Sequence, residues 1–274
     1  MIVIVNCKSR IFQKQGTVLN RKKNNKISII TPCFNAEKFI AETIQSVISN
    51  TAVANKEIEL EYIICDGKSS DNTVEIVEKI FSTIRQDNIS TEIISEFDSG
   101  MYEALSKGLR KVSGDVTAYI NAGDFYSPHA FEIVFEIMNG YPIKWLTGLI
   151  VRYNEKSHLI DATLPYRYQT NFIQNGYYNP KFLPFIQQES TFWNSGMNTL
   201  IDYSNLTCFK YAGDFHLWKQ FSEEATLYIV DAWLGGYKIH KGQLSEDMNS
   251  YYKEMKQIVS TGKLFEHISA YPEK

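Results

Sequence analysis

The sequence predicts an α/β fold, a mostly parallel sheet with helices on both faces. Three observations lead there. Between residues 27 and 140, short β-branched runs alternate four times with stretches whose apolar residues recur every three or four positions. Each run ends in a polar turn segment. The chain has 274 residues, 44% apolar and 22% charged, so it can bury a sizeable core.

The first strand is predicted at Ile27–Thr31, followed by the turn "PCFNAE" and a helix carrying Ile40, Ile44, Val47 and Ile48 on one face. The second strand is Leu60–Cys65, which runs into the polar loop "DGKSSDNT" and a helix marked by Val77, Ile80, Phe81 and Ile84. Thr91–Ser95 is the third strand, and Met101, Leu105, Leu109 and Val112 mark the third helix. Asp115–Asn121 is the fourth strand, with a helix from Ala130 through Met138. Consecutive β-α units imply parallel pairing. Ligands of such sheets bind beyond the carboxyl ends of the strands.

After Gly140 the pattern is less regular. Trp145–Val151 and Thr226–Asp231 are expected strands, "GDFHLWKQF" opens a helix at Asp214, and Ser245–Ile258 is a last helix. The aromatic segment Pro165–Phe185 reads as a substrate loop rather than a core element. The expected organisation is a basic extension over 1–26, a main domain over 27–246 and a helical tail over 247–274. The main domain divides into two lobes, 27–140 and a smaller 141–246.

Several classes are excluded. Gly67-Lys68-Ser69 follows a strand, but position 62 is Tyr where a P-loop needs its first Gly. There is no G-x-G-x-x-G and no G-x-S-x-G. Cys7, Cys33, Cys65 and Cys208 form no C-x-x-C pair, which suits reduced thiols in the cytoplasm. No apolar run approaches bilayer-spanning length. Seven of the 28 Lys and Arg lie in residues 1–26, which hold no acid. That leaves 21 against all 31 acids, a charge of −10. The basic arm is either a solvated terminus or a contact for the inner face of an anionic membrane. Nothing points to nucleic acid.

Four segments at the strand ends carry a family resemblance: "ISIITPCFNAEKFIAETIQSV", "YIICDGKSSDNTVEIV", "SEFDSGMYEALSKGLRKVSGDVTAYINAGD", and "PFIQQESTFWN" with "AGDFHLW" and "HKGQLS". In this order and spacing they resemble family 2 glycosyltransferases of the colanic-acid, capsule and O-antigen type. The resemblance covers residues 27–246 and implies that 27–140 is the nucleotide-binding half and 141–246 the acceptor half. It implies a GT-A (Rossmann-like) fold, a nucleotide-sugar donor, a divalent metal (Mg²⁺ or Mn²⁺) and inverting transfer.

The resemblance also implies roles, residue by residue. Pro32, Cys33, Phe34 and Asn35, in the first turn, would face the base and ribose. Asp66 would accept a hydrogen bond from a uracil ring N–H; its alternative is an Asx turn. Asp71 reads as a cap for the helix that starts near Asn72. Asp98, Ser99 and Gly100 would flank the nucleotide, with an N-cap as the equal alternative. Asn121 and Asp124 would meet the ribose, diphosphate or metal. Gly123 stands where the family's first acid would be, so Asp124 is the one carboxylate left for the metal. His240 is a metal or diphosphate ligand or a structural histidine, and Lys241 offsets phosphate charge. Asp214 is the candidate base, with the helix N-cap as its alternative, and Glu189 is the reserve. Gln187 and Gln188 would border the sugar. Trp193 and Trp218 read as core residues before sugar platforms.

The expected activity is transfer of one sugar from a UDP-sugar to a glycan or lipid-linked glycan in surface polysaccharide assembly. Its rivals are a catalytically weak nucleotide-sugar or glycan binder and a nucleotidyltransferase of similar architecture.

Overall fold

The computed structural model describes residues 25–179 and 181–259, together with the backbone of two short strands nearer the start. Most of the basic arm, and the chain after residue 259, lie outside the described residues. The order is β1 (Ile4–Val5), β2 (Ile11–Phe12), β3 (Lys26–Cys33), α1 (Ile40–Ile48), α2 (Thr51–Ala54), β4 (Glu59–Asp66), α3 (Thr73–Thr83), β5 (Ile89–Ser95), α4 (Met101–Leu109) and β6 (Val116–Tyr119). It continues with β7 (Phe125–Tyr126), α5 (Ala130–Gly140), β8 (Trp145–Thr147), β9 (Ile150–Tyr153), β10 (Leu159–Thr163), α6 (Thr170–Gln174), β11 (Phe192–Asn194), α7 (Tyr203–Leu206), α8 (Gly213–Glu224), β12 (Tyr228–Val230), β13 (Gly235–Lys238) and α9 (Met248–Ile258).

The main sheet has the order β2-β1-β12-β8-β11-β6-β3-β4-β5. Its heart, β6-β3-β4-β5, is parallel, and β11 joins it antiparallel to β6. The chain lays β4 and β5 on one side of β3 and then returns to place β6 on the other. The crevice between β3 and β6 is therefore the topological switch point, where such sheets bind ligands.

Alternation along the strands explains the two covered faces. Ile27, Ile29, Leu60, Tyr62, Val116 and Ala118 pack with α1, α2, α3 and α5. Ile30, Ile63, Cys65 and Tyr119 face α4, α7 and α8. Both sets are almost wholly buried, and each full-sized apolar side chain so buried contributes roughly 1.5–3 kcal/mol.

Three expectations are corrected. The first strand extends through Pro32 and Cys33, so the turn begins at Phe34. Trp145–Val151 is two strands in different sheets. β8 pairs with β11 and β12, and β9 pairs with β10 and β13. The Leu149 N–H donates to the Ala232 carbonyl between them (2.9 Å) and turns the chain. The segment Pro165–Phe185 is partly core: it holds α6, and Tyr168, Ile173 and Tyr178 are buried against the α4–α8 side. Aromatic rings pack there without the regular periodicity that would have announced them. Among the described residues no helix is long and apolar enough to cross a membrane.

Candidate active site

The carboxyl ends of β3, β4 and β5 are level, because Cys33 pairs with Asp66 and Asp66 with Ser95. Their loops therefore converge. Asp66 is buried, and its carboxylate accepts from the Ser69 N–H (3.1 Å), the Ser69 hydroxyl and the Ser95 hydroxyl (2.7 Å). Asn35, at φ 49°, takes the left-handed conformation that Asn tolerates. Its Oδ1 accepts from the Ser70 N–H (2.9 Å), and its own N–H donates to Ser69 Oγ (2.8 Å). The loops after β3 and β4 are thus tied together. Asp71 joins them too: it accepts from the Thr73 N–H (3.0 Å) at the start of α3 and from the Glu37 N–H (3.1 Å).

Within this frame the expected contacts differ in reach. Phe34 is 63% exposed and Phe97 82% exposed, so both rings stand in solvent on the loops that follow β3 and β5. Cys33 is buried, and burial pushes its thiol far above the usual range, so it presents backbone rather than sulfur. Asp98 accepts from the Gly100 N–H (3.0 Å), and burial raises its carboxyl above the usual value. The N-cap of α4 is Gly100 and not Asp98 or Ser99; Ser99 instead donates its N–H (2.9 Å) and hydroxyl (2.6 Å) to Glu103 in the first turn.

The turn after β6 is held from α1. Thr43 Oγ1 accepts from the Gly123 N–H (2.9 Å) and donates to the Asp124 carbonyl (2.7 Å). Gly123 adopts φ +115°, which L side chains rarely adopt. The glycine at this place is a requirement of the backbone. A Cβ there would face His240 Nε2 at 3.6 Å, so the imidazole stands beside the position of the family's first acid. His240 stacks on Phe39 with ring centroids 4.4 Å apart. The Lys241 N–H donates to Glu155 Oε1 (3.2 Å).

Asp124 is buried, accepts from the Lys238 N–H (2.8 Å), and is hydrogen-bonded to the Glu189 carboxyl from the 3-10 turn Gln188–Ser190. Loss of water raises both carboxyls above the ordinary range; the Glu189 charge raises Asp124 further, and the Asp214 charge raises Glu189 while its bond to Asp124 lowers it. Lys238 is also buried, and its ammonium pairs with Glu42 of α1. Asn121 Nδ2 donates to Gln188 Oε1 (3.3 Å), while Asn121 Oδ1 is a buried oxygen with no hydrogen-bond partner. Gln187 instead bonds both the N–H and the carbonyl of Val151 (2.8 Å each).

Among the described residues there is no cluster of three or more His, Cys, Asp or Glu side chains able to hold a metal by itself. The unsatisfied Asn121 oxygen, the Asp124 carboxyl and the His240 imidazole are a donor set that suits Mg²⁺ or Mn²⁺ completed by diphosphate oxygens.

Asp214 lies in the first turn of α8. Its Oδ1 accepts from the Phe215 N–H (2.7 Å) and from the Tyr251 hydroxyl (3.4 Å), and the Tyr102 hydroxyl of α4 lies beside it. Burial pushes its carboxyl up to about 6 despite these bonds. A small apolar cavity opens beside it, lined by Ile173, Phe185, Trp218 and Tyr251 among others. Trp193 and Trp218 are buried, packed 6.0 Å apart, and belong to the core.

The fold thus unites residues far apart in sequence: Asp66 with Ser95, Asp124 with Glu189, and Asp214 with Tyr102 and Tyr251. Sequence reasoning missed Lys238, Glu42, Tyr102, Tyr251 and Glu254. Lys238 follows "GGY" as the one charged residue of that strand, which was a readable signal. The other four had none.

The model of glycosyl transferase family 2 matches residues 28–203. The chondroitin synthase of Pasteurella multocida is 26% identical over 164 residues, 57% of this chain and 14% of that protein. The UDP-Glc:α-D-GlcNAc-diphosphoundecaprenol β-1,3-glucosyltransferase WfgD of Escherichia coli is 30% identical over 123 residues, 44% of each chain. The chain therefore spans well under two thirds of these relatives. The crystal structure of S. aureus TarS 1-349 in complex with UDP-GlcNAc superposes with a TM-score of 0.63 at 14% identity, over 88% of this chain and 69% of that one. That likeness shows the GT-A fold, and the family match over well over half of the chain shows that it belongs to glycosyl transferase family 2.

Proposed function

We propose that this chain transfers one sugar, with inversion, from a UDP-sugar to a glycan or lipid-linked glycan acceptor in surface polysaccharide assembly. The observation that carries the reading is the convergence of three level strand ends on a buried carboxylate, Asp66, with exposed Phe34 and Phe97 on the adjoining loops and with Asp124 and Asp214 on a loop and a helix further along the chain. A uracil ring offers an N–H to Asp66 and a face to Phe34. The diphosphate then points toward Asn121, Asp124, His240 and Lys241. The names of the relatives support a UDP-sugar and a lipid- or polymer-borne acceptor: one is named for UDP-Glc and a diphosphoundecaprenol, and the solved structure holds UDP-GlcNAc.

Asp214 takes the proton of the acceptor hydroxyl while that oxygen attacks the anomeric carbon from the face opposite the diphosphate. The bond from the anomeric carbon to the diphosphate oxygen breaks, and UDP leaves with the electron pair. Glu189, tied to Asp124, is the reserve base. A bound Mg²⁺ or Mn²⁺ held by Asp124 and His240 would neutralise charge growing on the diphosphate. Attachment at the inner face of the membrane, through the basic arm, would bring a lipid-linked acceptor toward Asp214.

The test is UDP release from a panel of UDP-sugars with Mg²⁺ or Mn²⁺ and a lipid extract as acceptor source. The reading expects turnover of one donor. UDP binding without release from any donor favours the binder, and absence of UDP binding overturns the role of Asp66.

A further inference from the structure

We propose that α9 is part of the catalytic site, with Tyr251 as a positioning residue that orients Asp214 toward the acceptor hydroxyl. The inference rests on the reading of Asp214 as the base. It also places α9 with the acceptor half rather than with a separate tail.

The attachment of α9 is specific. The Glu254 carboxylate accepts three successive backbone N–H groups, from Lys210 (3.0 Å), Tyr211 (2.8 Å) and Ala212 (2.8 Å). These are the residues that lead into α8. The N-cap of α8, Ala212, has no side chain able to satisfy the free N–H groups of the helix start. Glu254 takes the N–H of that N-cap from more than forty residues away, with a charge of the favourable sign for a helix N-terminus, while Asp214 itself takes the Phe215 N–H. Met255 and Val259 pack with Ala212 and Phe215 to hold the same contact by burial.

Tyr251 lies one turn before Glu254 on the same face of α9. Glu254 therefore fixes where the Tyr251 hydroxyl sits, 3.4 Å from Asp214 Oδ1. Across the carboxylate stands Tyr102, whose hydroxyl donates to the Tyr211 carbonyl (3.2 Å). Gly213 lets this ring close in: a Cβ there would meet the Tyr102 ring at 2.5 Å. Asp214 is thus gripped between a tyrosine of α4 and one of α9, and the Tyr251 ring forms a wall of the adjoining cavity. Packing accounts for the ring but not for the placement of its hydroxyl. An O–H donated to a half-buried carboxylate fixes its rotamer and favours its ionised form. The ionisable groups facing Asp214 are Tyr102 on α4, Tyr251 on α9, Tyr119 on β6 and Glu189 on its 3-10 turn, with Glu254 at the helix start.

The test follows the Asp214 carboxyl directly. In protein labelled with ¹³C at the Asp carboxyl carbon, its resonance is assigned by its loss in Asp214→Asn and titrated in wild type and Tyr251→Phe. Unchanged circular dichroism confirms that the variant folds, and Tyr252→Phe controls for loss of a hydroxyl from α9. The expected result is a midpoint raised by roughly half a pH unit or more in Tyr251→Phe. The acidic limb of kcat should move with it, the KM for the donor should be unchanged, and Tyr252→Phe should match wild type. Equal midpoints in wild type and Tyr251→Phe overturn the role of Tyr251, and a Tyr251→Phe chain that does not fold overturns it as well by making the hydroxyl structural. If Asp214→Asn releases UDP at the wild-type rate, the base reading itself falls, whatever Tyr251→Phe shows.

Discussion

Replacing Asp214 with Asn should make the protein more stable while removing its activity. The carboxyl rises from 3.8 to about 6 on folding because it is taken out of water. At 1.36 kcal/mol per unit, that rise means ionised Asp214 opposes folding by up to about 3 kcal/mol. The sign follows from linkage. A carboxyl whose folded value lies above its unfolded value binds more protons in the native state between about pH 4 and 6. The cost is absent below that window, grows as pH rises through it, and is complete above it. The neutral amide of Asn keeps an oxygen to accept from the Phe215 N–H and the Tyr251 hydroxyl. Part of the gain is lost where its NH₂ meets donors, which leaves about 1–2 kcal/mol at pH 8. Urea unfolding of both proteins at pH 4, 5, 6, 7 and 8 reads the difference, which should fall by about 2–3 kcal/mol from pH 8 to pH 4 and favour wild type at the acid end. Turnover should fall by about 10²- to 10⁴-fold, the usual contribution of a general base. A variant that is less stable than wild type at pH 8, or a gap that does not change with pH, refutes the electrostatic account of this site.

Three further outcomes are expected. Phe34→Ala should weaken UDP binding by about 1–3 kcal/mol, the worth of base stacking on a ring, with little change in kcat, as measured by calorimetry and initial rates. Gly123→Asp should destabilise the fold by about 1–3 kcal/mol in urea and leave divalent-metal affinity no higher, because φ +115° strains any residue with a Cβ. Glu42→Ala should cost about 1–2 kcal/mol by the same assay. It leaves the buried Lys238 ammonium unpaired, a penalty reduced because the Glu42 side chain is 47% exposed.

The parallel half of the fold was legible because periodicity survives burial. Ile27–Thr31 and Leu60–Cys65 are uninterrupted β-branched runs, and the helices between them keep one apolar face. The second half was read less well. β8 and β9 look like one strand because Gly148 and Leu149 carry no polar turn signal, and only the tertiary bond from Leu149 to Ala232 separates them. For the site, the single acidic positions Asp66, Asp124 and Asp214 stood out at strand ends or a helix start. Their partners did not. Tyr251 and Glu254 read as ordinary residues of an amphipathic helix, and their role exists only once α9 docks on α8. The pairing of Asp124 with Glu189 likewise depends on β13 and the 3-10 turn meeting, which no local pattern announces. Gly123 shows the opposite failure: a missing acid read from sequence becomes a backbone conformation in three dimensions.

The central claim is a single displacement at the anomeric carbon driven by one carboxylate. The most direct measurement is the anomeric configuration of the transferred sugar by ¹H NMR, with an α-linked UDP-sugar as donor. The account predicts a β-linked product from the first turnover, lost in Asp214→Asn. An α-linked product would contradict it, because retention requires a second displacement or a same-face route that leaves Asp214 no such role.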